Sequence, residues 1–506
     1  MRFSELISRM AALGVRVIPS VPSDDSAEAV DPEIMTVTPD SRKAAPGALF
    51  CAISGSRCDG REFIPMAVAA GASAVLCGRA PAEKLPVPML ETDDDYLAMA
   101  AAAEIIAGEP EQRMDMYAVT GTNGKTTTVY AMRALDEDAS HCGIFSTVAV
   151  GIGNDFRAAE HTTPDAVSFF GELARMAAAG CERVYFEASS HALSQHRMGR
   201  IQLQSAIFTN LTQDHLDYHK DMERYYSAKK RLFTEYLSEG GRAVINASDP
   251  WGARLARELR AERPGVEIAD YGKKGGPGDF MILPPGADGG CVFMLRGRKY
   301  RSNLIGDYNA CNLTGAILAS DCGGNVDFIE VKVPGRLEMF CRTDGARAFV
   351  DFAHTDDALR RVLAVLRRIC RGRLIAVFGA GGDRDRTKRP KMGRAVCEGA
   401  DAAVVTSDNP RSEDPTAIIE EIVAGMDRKR GCGIFIEPDR GEAIRKACAM
   451  ADADDVILIA GKGHEAAQEI NGVVFPFSDA AEALKNGFSA AAGSAEAAEA
   501  TRRRRL

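Results

Sequence analysis

Residues 119–127, with the sequence Val-Thr-Gly-Thr-Asn-Gly-Lys-Thr-Thr, constrain the fold of this chain more than any other stretch. An apolar run at residues 116–119 leads into it and an amphipathic segment follows, which predicts a strand, a glycine-rich turn and a helix. In that arrangement Gly121 and Gly124 let backbone amides approach an anion, and the helix, expected to begin near Thr126, directs its positive end at it. The sequence therefore predicts a phosphate-binding loop in an α/β domain.

The side chains of this loop favour a nucleoside triphosphate as the ligand. Lys125 can reach the β- and γ-phosphates, and the Thr126 hydroxyl can ligate Mg²⁺. Val119 stands where the usual loop has its first glycine, so the pattern is incomplete. The alternative is an ordinary helix N-terminus with a solvated lysine. We favour an ATP site because the strand, the Gly-Lys-Thr sequence and the helix occur together.

The length of the chain, 506 residues, exceeds what one hydrophobic core usually serves, so we expect three domains. Short apolar runs alternate with helical stretches throughout, which predicts an α/β fold: a small N-terminal α/β domain at residues 1–110, a central doubly wound P-loop ATPase-like sheet at 111–334, and a C-terminal Rossmann-like domain at 335–488. Residues 489–506 are rich in alanine and arginine, and we expect a disordered tail there.

Charge and cysteine content argue against several classes of protein. A formal net charge of −9 does not fit a nucleic-acid-binding surface. The 13 cysteines include no Cys-x-x-Cys pair, so neither a disulfide framework nor a structural zinc site is indicated. No uncharged apolar run approaches about 18 residues, so we expect no membrane insertion. The sequence predicts a cytosolic protein, and we expect a monomer that binds small molecules.

Two polar segments that follow predicted strands carry further candidate ligands. Glu187 ends one strand and begins the segment Glu187-Ala-Ser-Ser-His-Ala-Leu-Ser-Gln-His-Arg197. The segment Asn210-Leu-Thr-Gln-Asp-His-Leu-Asp-Tyr-His219 adds imidazoles and carboxylates. A cation beside ATP phosphates needs oxygen ligands of this kind. The alternative, a helix cap with surface histidines, is less favoured because a phosphate loop precedes both segments.

A series of motifs in sequence order resembles the Mur ligase family. The motifs are Asp40-Ser-Arg42, Gly121-Thr-Asn-Gly-Lys-Thr126, Thr162-Thr-Pro-Asp165, the segments at residues 187–197 and 214–219, Pro334-Gly-Arg336, Asp351-Phe-Ala-His354, Gly381-Gly-Asp-Arg-Asp385, Asp408-Asn-Pro-Arg411 and Gly461-Lys-Gly-His-Glu465. The chain departs from the family pattern at Ala188, Phe352 and Asp356, where relatives usually have Val, Tyr and Pro. None of these departures removes a charged group that the chemistry needs.

The resemblance implies an ATP-dependent carboxylate–amine ligase of peptidoglycan precursor synthesis. In the most similar branch of the family, meso-diaminopimelate is added to UDP-MurNAc-L-Ala-D-Glu. A carboxylate is a poor acyl donor because its leaving group would be oxide, so ATP first converts it to an acyl phosphate, from which the amine displaces phosphate. Addition of L-lysine by the same kind of ligase is the first alternative, and a folate polyglutamate-type ligase is a second.

Two motifs argue against the folate alternative, namely Asp40-Ser-Arg42 in the first domain and Asp408-Asn-Pro-Arg411 in the third. A non-enzymatic relative that only binds a partner is a further alternative. It does not explain why the implied catalytic residues Lys125, Lys229 and His215 are all present together with Glu187.

The resemblance also implies a ligand for each matching residue. ATP contacts are implied for Gly121, Thr122, Asn123, Gly124, Lys125, Thr126, Thr127, Asn309, Asn312, Arg336, Asp351 and His354. Contacts to the UDP-sugar peptide are implied for Ser41, Thr162, Thr163, Ser189, Gln195 and Arg197. Mg²⁺ ligands are implied at Thr126, Glu187, His215 and Lys229, the last as a carbamate formed with CO₂. The alternative for Lys229 is that it and Lys230 are solvated helix lysines.

The incoming amino acid is implied to bind at Arg384, Asp408, Asn409, Pro410, Arg411, Gly461 and Glu465. The second carboxylate of meso-diaminopimelate, which L-lysine lacks, suits a guanidinium that donates two parallel hydrogen bonds. We expect Arg411 and Arg384 to hold carboxylates, with Asn409 assisting. We expect Gly461 and Glu465 to receive the distal ammonium. Lysine would then leave Arg411 buried and unpaired. The alternative is that Arg411 only pairs with Glu413 or Asp414.

Overall fold

The computed structural model describes residues 1–20, 30–55, 58–79, 84–272, 280–286, 289–320, 326–427 and 431–490. These residues form two compact units. The first comprises residues 1–281, 295–297 and 311–325, and the second comprises residues 282–294, 298–310 and 326–506. The domain boundaries predicted at residues 110 and 334 remain predictions. Of the described residues, none belongs to a helix long and apolar enough to cross a bilayer.

The N-terminal part of the first unit is a five-stranded sheet with three helices. The strands are β1 Ile18–Ser20, β2 Thr36–Thr38, β3 Ala48–Ala52, β4 Ala74–Cys77 and β5 Met89–Glu91, and the helices are α1 Phe3–Ala12, α2 Ile64–Ala69 and α3 Asp95–Ile106. The strand order is β1-β5-β4-β3-β2, with only β1 antiparallel. Strands β3 and β4 are buried along their whole length, which explains their continuous apolar sequences.

The larger part of the first unit is built on an eight-stranded sheet. Its strands are β6 Asp115–Thr120, β7 Cys142–Phe145, β8 Ala149–Ile152, β9 Asp155–Ala158, β10 Arg183–Glu187, β11 Leu203–Phe208, β12 Leu237–Asn246 and β13 Glu267–Tyr271. Its helices are α4 Lys125–Leu135, α5 Ala166–Ala178, α6 Ser190–Ser194, α7 Leu216–His219, α8 Met222–Arg231 and α9 Pro250–Glu262, with a π-helical turn at Leu232–Tyr236. The strand order is β13-β12-β11-β6-β10-β7-β8-β9.

Strand β6 lies between β10 and β11, and both pairings are parallel. The carboxyl ends of these three strands therefore meet at one edge of the sheet, which is where nucleotides bind in doubly wound folds. The phosphate loop follows β6, Glu187 ends β10, and residues 209–219 follow β11. The helix after the loop begins at Lys125, one residue earlier than predicted.

The second unit contains a small sheet and a large sheet. The small sheet has strands β14 Met281–Leu283, β15 Gly290–Leu295, β16 Arg298–Ile305 and β17 Phe328–Ile329, and helix α10 Asp307–Ser320 contributes residues to both units. The remaining strands are β18 Glu338–Cys341, β19 Arg347–Asp351, β20 Leu374–Phe378, β21 Ala402–Val405, β22 Gly433–Ile436, β23 Val456–Ala460, β24 Ala467–Ile470, β25 Val473–Pro476 and β26 Ser489–Ala490. The helices are α11 Asp356–Ile369, α12 Lys388–Gly399, α13 Pro415–Val423, α14 Arg440–Met450 and α15 Asp479–Lys485.

The large sheet has the order β22-β21-β20-β23-β19-β18-β26, and β24 and β25 form a separate hairpin. Parallel pairing from β22 to β19 puts residues 406–411 after β21 and residues 461–465 after β23 at the same edge. The α/β prediction is confirmed for this part of the chain, as it is for the first unit.

The start of the predicted tail is wrong by two residues. Ser489 and Ala490 form β26, which pairs antiparallel with Cys341 and Phe340. Phe488, just before them, is only 3% exposed, so residues 488–490 are held by apolar burial as well as by backbone hydrogen bonds. Residues 491–506, the rest of the predicted tail, lie outside the described residues.

Candidate active site

The phosphate loop has the backbone conformation that its glycines allow. Gly124 has a φ of +88°, and a Cβ there would meet the Asn312 side chain. At Gly121, where φ is +150°, a Cβ would meet Thr209 Oγ1. Both glycines are therefore required by close approach as well as by torsion. The Thr126 and Thr127 side chains, in the first turn of α4, are nearly buried.

The segment after β11 braces the loop through hydrogen bonds. The backbone amides of Thr122 and Asn123 donate to the backbone oxygen and side-chain oxygen of Asn210, at 2.9 and 3.0 Å. Thr209 Oγ1 donates to the Asn123 carbonyl at 2.6 Å, and Thr122 Oγ1 donates to the Thr212 carbonyl at 3.1 Å. The sequence analysis assigned no role to Thr209 or Thr212. In the sequence, only their position in a polar segment after a strand could have indicated a role for them.

Two lysines meet at the Gly121 carbonyl. Lys125 Nζ donates to this oxygen at 3.0 Å and to the Thr122 carbonyl at 3.0 Å. Lys229 Nζ, on α8, donates to the same Gly121 oxygen at 2.9 Å. Burial, and secondarily the positive charge of Lys125, hold the pKa of Lys229 well below its usual range. Lys229 is 1% exposed, so it is not a solvated helix lysine. The alternative is wrong for Lys229, whereas Lys230 pairs with Glu258 and Glu262.

Glu187 is the last residue of strand β10, and its side chain is 1% exposed. Its Oε1 accepts hydrogen bonds from the Thr147 amide at 2.7 Å and from Thr147 Oγ1 at 3.3 Å. His215 has a φ of +52°, and its ring lies 5.0 Å from that of His191. Among residues in the described part of the chain, no three His, Cys, Asp or Glu side chains are arranged to hold a metal ion.

This donor set fits Mg²⁺ bound mainly through substrate phosphates. In proteins that ion usually takes one or two carboxylates and fills its other positions with phosphate oxygens and water. The Thr126 hydroxyl and the Glu187 carboxylate are oxygen donors of the required kind. A site of this type needs no cluster of three acidic side chains.

The residues assigned to the UDP-sugar peptide form one hydrogen-bonded network, apart from Ser41. Thr163 Oγ1 donates to the Glu187 carbonyl at 2.6 Å and to Ser189 Oγ at 3.3 Å. Arg197 donates to the Thr163 carbonyl at 2.8 Å and to Gln195 Oε1 at 2.7 Å. Thr162 Oγ1 lies 3.1 Å from Thr147 Oγ1.

Ser41 lies in the N-terminal sheet region, in a 3₁₀ turn capped by Asp40. The Arg42 guanidinium, which donates to Asp40, lowers the pKa of that carboxyl to about 2. Within the described ranges, no hydrogen bond links Ser41 to the Thr163 network. Ser41 is therefore not part of that hydrogen-bonded network.

Three residues assigned to ATP gather around Phe352 in the second unit. The Arg336 guanidinium lies over the Phe352 ring at 4.6 Å, and the His354 ring centroid lies 4.7 Å from it. Asp351 accepts backbone hydrogen bonds at 2.7 and 2.8 Å, and burial raises its pKa. Asn309 donates to the Ile305 carbonyl at 2.9 Å. The other assigned asparagine, Asn312, belongs to the first unit, where it packs against Gly124.

The loops assigned to the amino acid come together at the edge of the large sheet. A Cβ on Gly381 would lie 3.1 Å from Arg411 Nη1, 3.8 Å from Arg384 Cγ and 3.9 Å from the Asn409 carbonyl oxygen. A Cβ on Gly461, where φ is +119°, would collide with the Asp408 carboxylate. A Cβ on Gly382 would likewise collide with the backbone of Pro410. These glycines let the loops after β20, β21 and β23 touch.

Arg411 has different partners from those considered in the sequence analysis. Its Nη1 donates to the Gly382 carbonyl at 2.8 Å, and its Nε lies 3.3 Å from Glu469 Oε2. Glu413 instead accepts from Arg389. Pairing of Arg411 with Glu413 or Asp414 is therefore wrong. The expectation that Arg411 would be unpaired with L-lysine bound is also wrong, because the Glu469 carboxylate already pairs with it.

Lys462 is a candidate site residue that the sequence analysis missed. Its side chain is fully buried, and its Nζ donates to Asn409 Oδ1 at 2.9 Å and to Glu465 Oε2 at 2.8 Å. Asn409 Nδ2 also donates to Glu465 Oε2 at 2.9 Å. A protein ammonium thus contacts the carboxylate that was expected to receive the ligand's ammonium.

A buried arginine, Arg440, fixes the loops of this edge. Arg440, 1% exposed, donates to both carboxylate oxygens of Asp479 at 2.7 Å and to the carbonyls of Ser407 and Ala460 at 3.2 and 3.0 Å. Arg440 thereby ties the end of β21 to the end of β23. A motif search does not find such a residue, because its partners are far apart in sequence.

Comparisons with known proteins agree with this geometry. The family models described as "Mur ligase family, catalytic domain", "Mur ligase middle domain" and "Mur ligase, glutamate ligase domain" match residues 33–120, 119–320 and 335–463. The UDP-N-acetylmuramoyl-L-alanyl-D-glutamate--2,6-diaminopimelate ligase of Aquifex aeolicus is 42% identical over 456 residues, which cover 88% of this chain and 92% of that protein. The ligase of the same name from Gloeobacter violaceus is 40% identical over 499 residues, 96% of this chain and 97% of that protein.

A solved structure of a ligase with this name superposes with a TM-score of 0.64 at 34% identity, and covers 90% of this chain and 94% of its own. The similarity therefore extends through all three predicted domains. The phosphate loop and the loops that carry Glu187 and Arg411 lie within the ranges that the family models match. With identity of about two fifths over nearly the full length, this chain belongs to the Mur ligase family of ATP-dependent, amide-bond-forming ligases.

Proposed function

We propose that this chain adds meso-diaminopimelate to UDP-MurNAc-L-Ala-D-Glu, with ATP as the second substrate. The observation that carries the proposal is the cluster of Arg411, Arg384 and Asn409 around Gly381. It occurs in a chain whose relatives, 42% and 40% identical over most of their length, are named for this reaction. Two guanidinium groups at one loop edge suit an amino acid with two carboxylates.

The proposed reaction has two steps. An oxygen of the D-Glu γ-carboxylate attacks the γ-phosphorus of ATP, and ADP leaves. The amine of the amino acid then attacks the carbonyl carbon of the acyl phosphate, inorganic phosphate leaves and the amine proton is lost to solvent or to a base. Both steps build negative charge on oxygen atoms, and we assign its stabilisation to Lys125, whose Nζ lies 3.0 Å from the Gly121 carbonyl oxygen.

We assign Thr126, Glu187 and His215 to Mg²⁺ binding beside the phosphates. When bound, the ion would neutralise charge on the phosphate oxygens. The hydrogen bonds from Thr147 fix the Glu187 carboxylate at the end of β10. The N-terminus of the helix that begins at Lys125 would direct its backbone amides at the phosphates. The fixed Glu187 carboxylate and the helix N-terminus support the assignment of this loop to phosphate and Mg²⁺.

We propose that Lys229 is carboxylated by CO₂ and then serves as a further Mg²⁺ ligand. Carbamate formation needs the neutral amine as nucleophile, and burial beside Lys125 favours that form. The nitrogen attacks the carbon of CO₂, one proton is released, and a carbamate anion results. An anion next to the Lys125 ammonium is electrostatically favourable, whereas two ammonium groups there repel each other.

We assign the nucleotide-sugar peptide to Thr162, Thr163, Ser189, Gln195 and Arg197, and its uridine end to Ser41. The hydrogen bonds among the first five hold their side chains in one arrangement beside Glu187. For ATP we assign the loop residues from Gly121 to Thr127 together with Asn309, Asn312, Arg336, Asp351 and His354. Burial of Asn309 and Asp351 supports fixed orientations for these two side chains.

In the amino-acid site, we propose that the distal end of meso-diaminopimelate contacts Arg411 and Glu465. Its carboxylate would compete with Glu469 for the Arg411 guanidinium. Its ammonium would approach Glu465 beside Lys462, where Asp408 and Gly461 close the loop. The ligand carboxylate can take the place of Glu469 beside Arg411. The ligand ammonium can take the place of Lys462 beside Glu465.

We further propose that the enzyme acts as a cytosolic monomer. Every residue that the proposal assigns belongs to one chain, so the reaction requires no second copy. Light scattering after size exclusion should give a mass near the 54.2 kDa of the single chain.

Phosphate release tests the proposed function directly. The purified protein is incubated with ATP and Mg²⁺, and phosphate is measured with UDP-MurNAc-L-Ala-D-Glu alone, with meso-diaminopimelate alone and with both. Release above background should require both, and the product mass should equal the sum of the two substrates minus one water. L-Lysine and L-glutamate are the matched alternative amines. A preference for L-lysine, or glutamylation of a folate, would overturn the proposal.

A further inference from the structure

Arg389 is a buried arginine of the second unit that connects its own helix with three other segments. It lies in the first turn of α12, and its side chain is fully buried. Its Nη1 and Nη2 donate to Glu413 Oε2 and Oε1 at 2.9 and 2.8 Å, so the guanidinium holds this carboxylate through two parallel hydrogen bonds. Nη1 also donates to Glu421 Oε2 at 2.9 Å, and Nη2 donates to the Gly381 carbonyl at 3.2 Å. Arg389 therefore joins α12 to α13 and to the loops after β20 and β21.

The two loops that Arg389 contacts also hold Arg411. The Gly381 carbonyl accepts from Arg389, and the next carbonyl along the chain accepts from Arg411 Nη1 at 2.8 Å. Glu413 follows Arg411 by two residues, and its Oε1 also accepts from the Asp383 amide at 2.6 Å. Residues 381–383 therefore bind both guanidinium groups and the Glu413 carboxylate within one short stretch of backbone.

Glu413 would compete for Arg411 if Arg389 did not bind it. The hydrogen bonds from Arg389, and next the one from the Asp383 amide, lower the pKa of Glu413 to about 2, so its carboxylate is ionised at neutral pH. An ordinary glutamate, with a pKa of about 4.3, is also ionised there. The charges of Glu413 and Arg411 both act on Asp383, which shows that the two groups are close. A Glu413 carboxylate released from Arg389 is therefore attracted to Arg411.

We propose that Arg389 is a positioning residue for amino-acid specificity, which keeps Glu413 away from Arg411 and so leaves the Arg411 guanidinium for the distal carboxylate of the amino acid. The inference rests on the proposed function, since it requires meso-diaminopimelate to bind at Arg411. One protein carboxylate, that of Glu469, already lies 3.3 Å from Arg411 Nε. A second carboxylate would occupy further donors of the guanidinium and repel the ligand carboxylate. Arg389 thus limits the protein competitors of the ligand to one.

The two carboxylates that Arg389 binds differ in their other partners. Glu421 also pairs with Arg386, so it keeps an arginine when Arg389 is removed. Glu413 forms an ion pair with Arg389 alone, as far as the described residues show. Loss of Arg389 therefore leaves Glu413, the residue next but one to Arg411, as the carboxylate without a counter-ion. This difference allows the effect of Glu413 to be separated from that of Glu421.

Steady-state kinetics of Arg389→Met test the inference. Methionine is a flexible apolar side chain that can fill the buried space without a charge. The KM for meso-diaminopimelate should rise about tenfold or more, because a charged hydrogen bond to the ligand is weakened. Both kcat with this amino acid and kcat/KM for L-lysine should change less than about threefold, since neither depends on the distal carboxylate. Arg386→Met, which removes the exposed arginine that shares Glu421, is the matched control and should keep the original KM.

A double variant, Arg389→Met with Glu413→Gln, identifies the cause. Glutamine has no charge with which to compete for Arg411, so the KM for meso-diaminopimelate should return to within about threefold of the original value. A purely structural role of Arg389 predicts no such recovery, because removal of a second charged partner does not rebuild the lost contacts. If Arg389→Met does not fold, Arg389→Lys takes its place, since one ammonium cannot hold both Glu413 oxygens as the planar guanidinium does. The same rise in KM, smaller in size, and the same recovery are then expected.

Three outcomes overturn the inference and leave the proposed function intact. They are an unchanged KM for meso-diaminopimelate in the folded Arg389 variant, an equal loss of kcat/KM for both amino acids, and failure of Glu413→Gln to restore the KM. Absence of ligation when the unaltered protein is given meso-diaminopimelate, ATP and the nucleotide-sugar peptide would overturn the inference together with the proposed function. The unaltered protein and its variants therefore distinguish the two failures.

Discussion

Lys125 and Lys229 donate hydrogen bonds to one oxygen, the carbonyl of Gly121, at 3.0 and 2.9 Å. Burial, and next the positive charge of Lys125, lower the pKa of Lys229 well below its usual range. Lys125, at the start of the helix after the phosphate loop, is therefore suited to hold an anion, and Lys229 on α8 is suited to react as a neutral amine. The first two predictions concern these two lysines.

Lys125→Ala should reduce turnover about 10²-fold or more, because a positive charge that stabilises the transition state is lost. The fold should remain, since the hydrogen bonds described above join this side chain to carbonyl oxygens of its own loop. Steady-state phosphate release and thermal unfolding measure the two effects. Lys446→Ala, at an exposed lysine, is the control. Near-normal turnover of Lys125→Ala would refute the assignment of the ATP site.

Lys229→Ala should lose activity by a factor of about 10² or more, because the vacated position can no longer supply a carbamate oxygen. Added acetate or formate should restore part of the activity by occupying that space. The neighbouring Lys230→Ala removes only ion pairs with Glu258 and Glu262 and should remain active.

Carbon-13 NMR of the enzyme in labelled bicarbonate should show a carbamate signal that Lys229→Ala lacks. Full activity of that variant would contradict the carbamate proposal. An unmodified Lys229 in an ordered structure of the active enzyme would contradict it equally.

The acyl phosphate predicts the fate of one oxygen atom. If the γ-carboxylate of the D-Glu residue attacks ATP, one of its oxygens must leave with inorganic phosphate. Substrate labelled with oxygen-18 in that carboxylate should therefore yield labelled phosphate, detectable by mass spectrometry. Unlabelled phosphate from labelled substrate would rule out this order of bond formation and cleavage.

Arg440→Ala should destabilise the second unit by about 3 to 5 kcal/mol, because it leaves the Asp479 carboxylate buried without its partner. The exposed pair of Arg445 and Glu442 gives the control, and Arg445→Ala should change stability by at most about 0.5 kcal/mol. Hydrogen exchange of the β21 and β23 amides measures the effect locally. Equal exchange in the two variants would mean that Arg440 does not fix these strands.

The sequence predicted those parts of the site that are encoded in short segments. The strand, loop and helix around Gly121 follow from local periodicity and glycine spacing, and the helix start was wrong by only one residue. Glu187 was placed correctly at a strand end because the apolar run before it is unambiguous. Both features depend on a few consecutive residues.

Features that depend on tertiary contacts were not predictable. Arg440 and Asp479 are 39 residues apart and become partners only when the large sheet forms. Thr147 and Glu187 are 40 residues apart. The small sheet formed by β14 to β17 was missed because β14 and β17 have only three and two residues, and Gly289 and Gly297 flank β15. Lys462 was missed because a lysine between two glycines usually indicates a solvated turn.

The last prediction concerns the choice of amino acid at Arg411. The enzyme should prefer meso-diaminopimelate to L-lysine, because only the former has a distal carboxylate to accept hydrogen bonds from the guanidinium. Arg411 already pairs with Glu469, so L-lysine does not leave it unpaired, and the preference should reflect about 1.5 to 3 kcal/mol for hydrogen bonds to a charged group. That range corresponds to about 10- to 150-fold in kcat/KM.

Three variants separate the contribution of Arg411 from general damage to its loop. Arg411→Ala should lower kcat/KM for meso-diaminopimelate and leave that for L-lysine nearly unchanged, so the preference should collapse. Glu469→Gln should raise the affinity for meso-diaminopimelate, because the guanidinium loses its internal competitor. Arg386→Ala, at an exposed arginine that pairs with Glu421, is the control and should keep the preference. If the unaltered enzyme prefers L-lysine, or if Arg411→Ala keeps the original ratio, Arg411 does not determine specificity even though the ligase chemistry could stand.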